Sequence, residues 1–241
     1  MSIKVSVVGA SGRMGKLALE LIQDAQDMEL HSALDSKSQL SQSIGADVVF
    51  DVTKLSVSQQ VVEHAINSGI SVVVGTSGWS QANLAELTPK LNKSPGTAVV
   101  VIPNFSIGSM LASDFSAQAA KFFESIEIIE THHAGKVDSP SGTAVRTAEL
   151  IAEARQNLTQ PLIPGVGQPA RGQVVAGVPI HSLRQTGASA NQEVRIHGDS
   201  ELIRITHEVS SIRAYSFGIL QSIRQAHKKQ GLFVGLNSVI E

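Results

Sequence analysis

From residue 3 to residue 102, short runs of β-branched residues alternate with stretches in which apolar residues recur every three or four positions. Ile3 to Val8 reads as a strand and Gly9 to Gly15 as a glycine-rich turn. Met14, Leu17, Ala18, Leu21 and Ile22 then mark one face of a helix. Leu30 to Leu34 is a second strand, ending at Asp35, and Val48 to Val52 a third. The helix after it buries Val57, Val61, Val62, Ala65 and Ile66, and Gly69 is placed to close it. Ser71 to Val74 and Ala98 to Ile102 continue the alternation, with a Ser80-capped helix between them. Such alternation predicts a parallel, doubly wound sheet with helices on both faces.

After Pro103 the pattern changes. A helix from about Ser109 to Phe123, a strand ending at Thr131 and a helix from about Ser141 to Ala154 precede a Pro/Gly/Gln-rich stretch, Gln156 to Gln173, expected to form an excursive loop. Val178 to Leu183, Glu193 to Ile196 and Leu202 to Glu208 follow as strands without helices between them, which predicts a mixed or antiparallel sheet. A closing helix, about Ala214 to Lys228, has no partner nearby in sequence and is expected to return to the first domain. The expected architecture is α/β: a Rossmann-like domain of residues 1–104 completed by 212–241, and a smaller α+β domain with a mixed sheet over 105–211.

Composition narrows the chemistry. With 42% hydrophobic residues but only seven Phe, one Trp and one Tyr in 241, the core is built from Val, Ile, Leu and Ala, as in parallel sheets buried on both faces. A net charge of −2 without a long Lys/Arg run argues against nucleic acid. No apolar stretch reaches the roughly 20 residues that cross a bilayer and no charged leader precedes the first strand, so no membrane partner and a cytoplasmic location are expected. The absence of cysteine excludes disulfides, thiolate metal sites and cysteine nucleophiles.

Two segments carry chemistry. Gly9-Ala10-Ser11-Gly12-Arg13-Met14-Gly15 has the form G-x-x-G-x-x-G between a strand and an amphipathic helix, a variant of the dinucleotide fingerprint in which helix N–H groups face a pyrophosphate. Asp35, twenty residues after Gly15, is placed to bond the adenosine ribose and favours NADH, whereas Arg13 and Lys37 could meet the extra phosphate of NADPH, so both cofactors stay open. Gly75-Thr76-Ser77 and Pro103-Asn104-Phe105 follow the fourth and fifth strands at the carboxyl edge, where ligands of such sheets bind, and are expected beside the nicotinamide ribose and ring.

The second segment, residues 130–143, holds His132, His133 and Lys136 before a helix start at Ser141-Gly142-Thr143. The imidazoles can move protons near neutral pH, and the helix start offers N–H groups and hydroxyls to a carboxylate, with Ser139 a possible cap and Pro140 in the first turn. No metal site is expected, since adjacent histidines rarely chelate one ion and no H-E-x-x-H pattern occurs.

The run Glu130-x-His132-His133-x-x-Lys136-x-Asp138-x-Pro140-Ser141-Gly142-Thr143-Ala144 resembles the signature of the dihydrodipicolinate reductase family. The Gly9 to Gly15 turn, the two nicotinamide-side loops and the order of elements are similar to that family along essentially the whole chain. The resemblance implies NADH- or NADPH-dependent reduction of a cyclic imine with two carboxylates, derived from 4-hydroxy-tetrahydrodipicolinate, in diaminopimelate and lysine synthesis. It implies that His132 and Lys136 are catalytic proton carriers, that His133, Ser141, Gly142 and Thr143 hold substrate carboxylate, and that the protein is a homotetramer built through the second domain's exposed sheet. Three positions depart from the pattern: Ser139 replaces a usual alanine, Ser36 stands where some members carry an NADPH-selecting arginine, and Asn191 stands where relatives often have histidine. A Tyr-x-x-x-Lys reductase is excluded, because Ile219 stands four residues after the single tyrosine, Tyr215. A non-catalytic dinucleotide sensor, and a reductase of another small imine or carbonyl acid, stand as alternatives.

Overall fold

The computed structural model describes residues 2–159, 163, 165 and 167–240, and the chain divides into two compact units, 1–107 with 212–241, and 108–211. In the first unit the elements are β1 (Ile3–Val8), α1 (Arg13–Asp24), β2 (Met28–Leu34), β3 (Val48–Asp51), α2 (Leu55–Asn67), β4 (Ser71–Val74), α3 (Gln81–Ala85), α4 (Leu87–Leu91) and β5 (Ala98–Val101). Across 108–211 lie most of α5 (Ile107–Ala119), then β6 (Ser125–His133), α6 (Gly142–Ala154), β7 (Gln173–Val175), β8 (Val178–Gln185), β9 (Ala190–His197) and β10 (Leu202–Val209). The chain then returns to the first unit with α7 (Ser216–Lys228) and β11 (Gly231–Val234).

The first unit holds a six-stranded parallel sheet in the order β11-β5-β4-β3-β1-β2. Its central strands β3, β4 and β5 are buried at every position, as covering on both faces requires. On one face α2, α3 and α4 set Val61, Val62, Ala65, Ile66, Leu84, Leu87 and Leu91 against Val49, Val72, Val74, Val99 and Val101. The helices α1 and α7 pack on each other, α1 also on β1 and β2 and α7 on β3, β4 and β5. Sequence order reverses between β1 and β3, and ligands of open α/β sheets bind at the carboxyl end of such a switch point.

The second unit holds a five-stranded mixed sheet, β10-β9-β6-β8-β7, in which β6 and β8 run parallel and the other pairs antiparallel. Strand alternation sends Ile126, Ile128 and Glu130 to the side covered by α6, whose Ala144, Ala148 and Ile151 join Val178, Ile180, Val194 and Ile196 in a second core.

Several expectations shift. Two short strands, β7 and β11, were not expected from the sequence; β11 extends the first sheet as an edge strand. α5 begins at Ile107 and ends at Ala119 in a 3-10 turn, Ala120–Phe122. Strand β6 runs through His133 instead of ending at Thr131, because its pairing with β8 continues to His132↔Arg184 and His133↔Gln185. The cap of α6 is Ser141, whose hydroxyl accepts from Ala144 N at 3.3 Å, not Ser139, which joins Pro140 by a cis peptide bond. Of the Pro/Gly/Gln-rich stretch expected to form an excursive loop, residues 160–162, 164 and 166 lie outside the described residues, and its far end leads through a 3-10 turn, Pro169–Arg171, into β7.

Candidate functional site

The glycine turn of the first unit is built by steric demand. Gly9 has φ +90°, and a side chain there would begin 2.7 Å from Val52 O, just past the end of β3 across the switch point. At Gly15 a Cβ would lie 2.2 Å from Gly9 O, so only glycine lets α1 pack this closely on the turn. Gly9 N and Ala10 N both donate to Leu34 O, at 2.9 and 3.0 Å, which ties the turn to the end of β2 and to Asp35. Gly12 caps α1 without a side-chain hydrogen bond, and no acidic residue occupies the first turn. No side chain of the cap or first turn therefore offsets the positive end of that helix, the arrangement that suits a pyrophosphate. Ser11, Gly12 and Arg13 are exposed, Met14 is half-buried and Ala10 is buried.

Asp35 is exposed, and its Oδ1 is used locally, accepting from Lys37 N at 2.9 Å and Ser38 Oγ at 3.0 Å. Those bonds, Lys37 N first, hold its carboxyl below the usual range. The loops after β3 and β4 meet on a residue that the sequence reading passed over, Asp51. It is fully buried, and its Oδ2 accepts from Thr76 Oγ1 at 3.0 Å and from Ser58 Oγ. Its Oδ1 accepts from Thr53 Oγ1 at 2.7 Å. Burial pushes the Asp51 carboxyl up, against the pull of these bonds. Thr76 thus works as a loop anchor through its hydroxyl, while Ser77 beside it is exposed. A Cβ on Gly75 would lie 2.7 Å from the Phe105 ring, which is buried and sits 5.6 Å from the ring of Phe50. Phe105 therefore serves the core. Asn104 Oδ1 accepts from Ser106 N at 2.9 Å, and Pro103 is exposed.

In the second unit the centre of the site is again a carboxylate whose part sequence reading missed. Glu130 is fully buried on β6. Its Oε2 accepts from His132 Nδ1 at 2.6 Å and Arg184 Nη1 at 2.9 Å, and its Oε1 from Arg184 Nη2 at 2.9 Å and Ser141 N at 3.2 Å. Burial alone would raise the Glu130 carboxyl, but hydrogen bonds from Arg184, Ser182 and His132 overcome it and leave it below the ordinary range. The same burial holds the His132 imidazole low, helped by the charges of Lys136 and Arg184 and opposed by Glu130.

Lys136 turns back through its own N–H to His133 O at 3.0 Å, and its ammonium rests on Asp138 at 2.7 Å. The two neighbouring histidines are not equivalent: His132 is fixed by Glu130, whereas His133 ends β6 exposed to solvent. Ser141, expected to hold substrate carboxylate, donates its N–H to Glu130, and its hydroxyl accepts from Ala144 N, so both groups build the helix start. Thr143 O accepts from the Thr147 hydroxyl at 2.9 Å. A side chain on Gly142 would meet nothing within 4 Å, so packing does not require the glycine and the helix start is open.

Comparison with known proteins agrees across both units. Residues 3–105 match the family model described as dihydrodipicolinate reductase, N-terminus, and residues 108–240 match its C-terminus. The chain is 46% identical over 241 residues to the 4-hydroxy-tetrahydrodipicolinate reductase of Clavibacter sepedonicus, covering 100% of this chain and 87% of that protein. It is 40% identical over 246 residues to the enzyme of the same name from Streptomyces coelicolor, covering 99% and 98%. Among solved structures, dipicolinate-bound dihydrodipicolinate reductase from Paenisporosarcina sp. TG-14 aligns over 100% of both chains with a TM-score of 0.83 at 30% identity. A scyllo-inositol dehydrogenase from Lactobacillus casei, 12% identical with a TM-score of 0.60 over 98% and 91% of the chains, shares the fold alone. Matched by both family models along nearly its whole length, the chain belongs to the dihydrodipicolinate reductase family.

Proposed function

We propose that this chain reduces the cyclic imine derived from 4-hydroxy-tetrahydrodipicolinate to tetrahydrodipicolinate, with NADH or NADPH as reductant, in diaminopimelate and lysine synthesis. The observation that carries this reading is that one short segment holds an imidazole, an ammonium and an open helix start, with His132 and Ser141 N bonded to the same carboxylate. The names of the relatives and the dicarboxylate in the Paenisporosarcina structure support it.

The glycine turn, the start of α1 with no acidic residue in its first turn, and Asp35 fit a dinucleotide, with Gly75, Thr76, Ser77, Pro103, Asn104 and Phe105 forming the loops on its nicotinamide side. When bound, the dinucleotide supplies a hydride. On this reading residues 1–107 and 212–241 hold cofactor and residues 108–211 hold substrate. The N–H groups at Gly142 and Thr143 receive a carboxylate at the positive end of α6, and His133 assists from the end of β6. Hydride addition to a conjugated imine needs no protein nucleophile. It leaves an electron pair on the substrate that forms a bond to a proton from His132 or Lys136, and an acid so placed contributes ~10²–10⁴-fold. A non-catalytic sensor would have no use for either group.

The test is oxidation of NADH and NADPH on freshly generated aldolase product, with pyridine-2,6-dicarboxylate as competitor. Turnover inhibited by the planar dicarboxylate is the expected result. Cofactor binding without turnover supports the sensor, and turnover with another imine acid but not this one supports a different substrate.

A further inference from the structure

Glu130 is a buried carboxylate bonded at once to His132, Arg184 and Ser141 N, and it has no part yet in the chemistry. A buried charge persists only when paired and hydrogen-bonded. Arg184 meets it with a two-pronged fork at 2.9 Å on each oxygen and is itself braced by the carbonyls of Leu183 at 2.7 Å and Asp138 at 2.6 Å. An ionised carboxylate accepts hydrogen bonds and donates none, so the His132 nitrogen 2.6 Å from it must carry a proton. The hydrogen bond made by one ring nitrogen determines which nitrogen remains free.

We infer that Glu130 is the positioning residue of the proton-transfer site: it holds the Nδ1 proton of His132, so that Nε2, bare in the resting neutral ring, is the nitrogen that takes up a proton from water and then passes it to substrate. Because the opposite oxygen takes the Ser141 N–H, the same carboxylate fixes the imidazole relative to the helix start that receives the substrate's carboxylate. Arg184, delivered by the β6–β8 pairing, keeps Glu130 charged in the core. The assignment of Nε2 to substrate rests on the reductase reading; the tautomer itself does not.

The experiment uses the full chain labelled with 15N-histidine and free of ligand. Two-bond nitrogen–proton correlation spectra are recorded above the imidazole titration range, and the His132 signals are identified by their loss in His132→Asn. The expected wild-type pattern is a protonated Nδ1 and a bare Nε2; a proton on Nε2 overturns the inference whatever the variants do. In Glu130→Gln the pattern becomes mixed or reversed, kcat falls by about 10²–10⁴-fold, the scale of an acid–base contribution, and NADH binding followed by fluorescence is unchanged. A Glu130→Gln enzyme that keeps wild-type kcat also overturns it, by reducing Glu130 to a strut. Should that variant not fold, Arg184→Lys replaces it, with a smaller loss of kcat and the tautomer retained. Wild-type enzyme that shows the expected tautomer but reduces no aldolase product defeats the reductase reading and leaves the lock standing.

Discussion

The half-exposed ammonium of Lys136 rests on the exposed Asp138 at the turn that leaves β6. Lys136→Ala should therefore lower kcat by about 10²–10⁴-fold while leaving NADH affinity nearly unchanged, measured by steady-state kinetics beside fluorescence titration. An equal loss of NADH binding would sink the assignment. The buried Glu130 and the half-buried Glu127 make a second prediction. Glu130 and Glu127 both have folded-state values below their ordinary ones, Glu127 through Arg171 and His181 against its own burial. A lowered carboxyl stabilises the fold above its unfolded value, and that contribution is lost as pH falls through the lowered folded value. The depressed His132 acts in the same direction, since the folded state favours its neutral form. Melting temperature should fall steeply on acidification below the ordinary carboxylate range, and Glu130→Gln should melt lower near neutrality but depend less on pH. A parallel acid limb in the variant would refute the linkage.

At the scale of elements, α7 packs by bringing its backbone onto the Pro103-Asn104-Phe105 loop. A Cβ on Gly218 would lie 2.0 Å from Phe105 O. Gly218→Ala must push helix and loop apart, and overpacking of this kind costs about 1–3 kcal/mol. Denaturant unfolding should register that loss, and NADH should bind more weakly because the loop is on the proposed nicotinamide side; an unchanged midpoint would show that the contact yields freely. The same elements explain what was legible in the residues. The Gly9 to Gly15 turn could be read because backbone geometry demands glycine at fixed spacings, and Ser141-Gly142-Thr143 because a helix start is local. Glu130 stands in its motif with no legible role, since that role depends on Arg184, 54 residues away and brought near only by strand pairing. Asp51 was hidden in the same way, its partners Ser58 and Thr76 lying on separate elements. The four-residue β11 is too short for a periodic signal and exists because the edge of β5 offers it a partner.

At the scale of the molecule, the second unit's sheet is covered unequally. Helix α6 packs on the side of Ile128 and Ile180, while alternation sends Glu127, Ile129, His181, Leu183, Glu193 and Arg195 to the opposite side. That side mixes apolar and paired charged residues: Leu183 and Val174 are each 38% exposed, Glu127 bridges Arg171 and His181, and Glu193 bridges Arg195 at 2.7 Å. Charges already neutralised within the chain cost less to cover than free ones, and a mixed sheet with one unpacked face can bury it against another copy. For the homotetramer that the family resemblance implies, sedimentation should give the mass of four chains. Leu183→Glu, which places an unpaired charge on the face such a tetramer would cover, should shift the population to smaller species with circular dichroism unchanged. Wild-type chain sedimenting as a monomer would reject the tetramer. A Leu183→Glu enzyme that stays tetrameric would place the contact on another surface, since a face that seals against a copy of itself cannot take up four new carboxylates without a measurable loss of affinity.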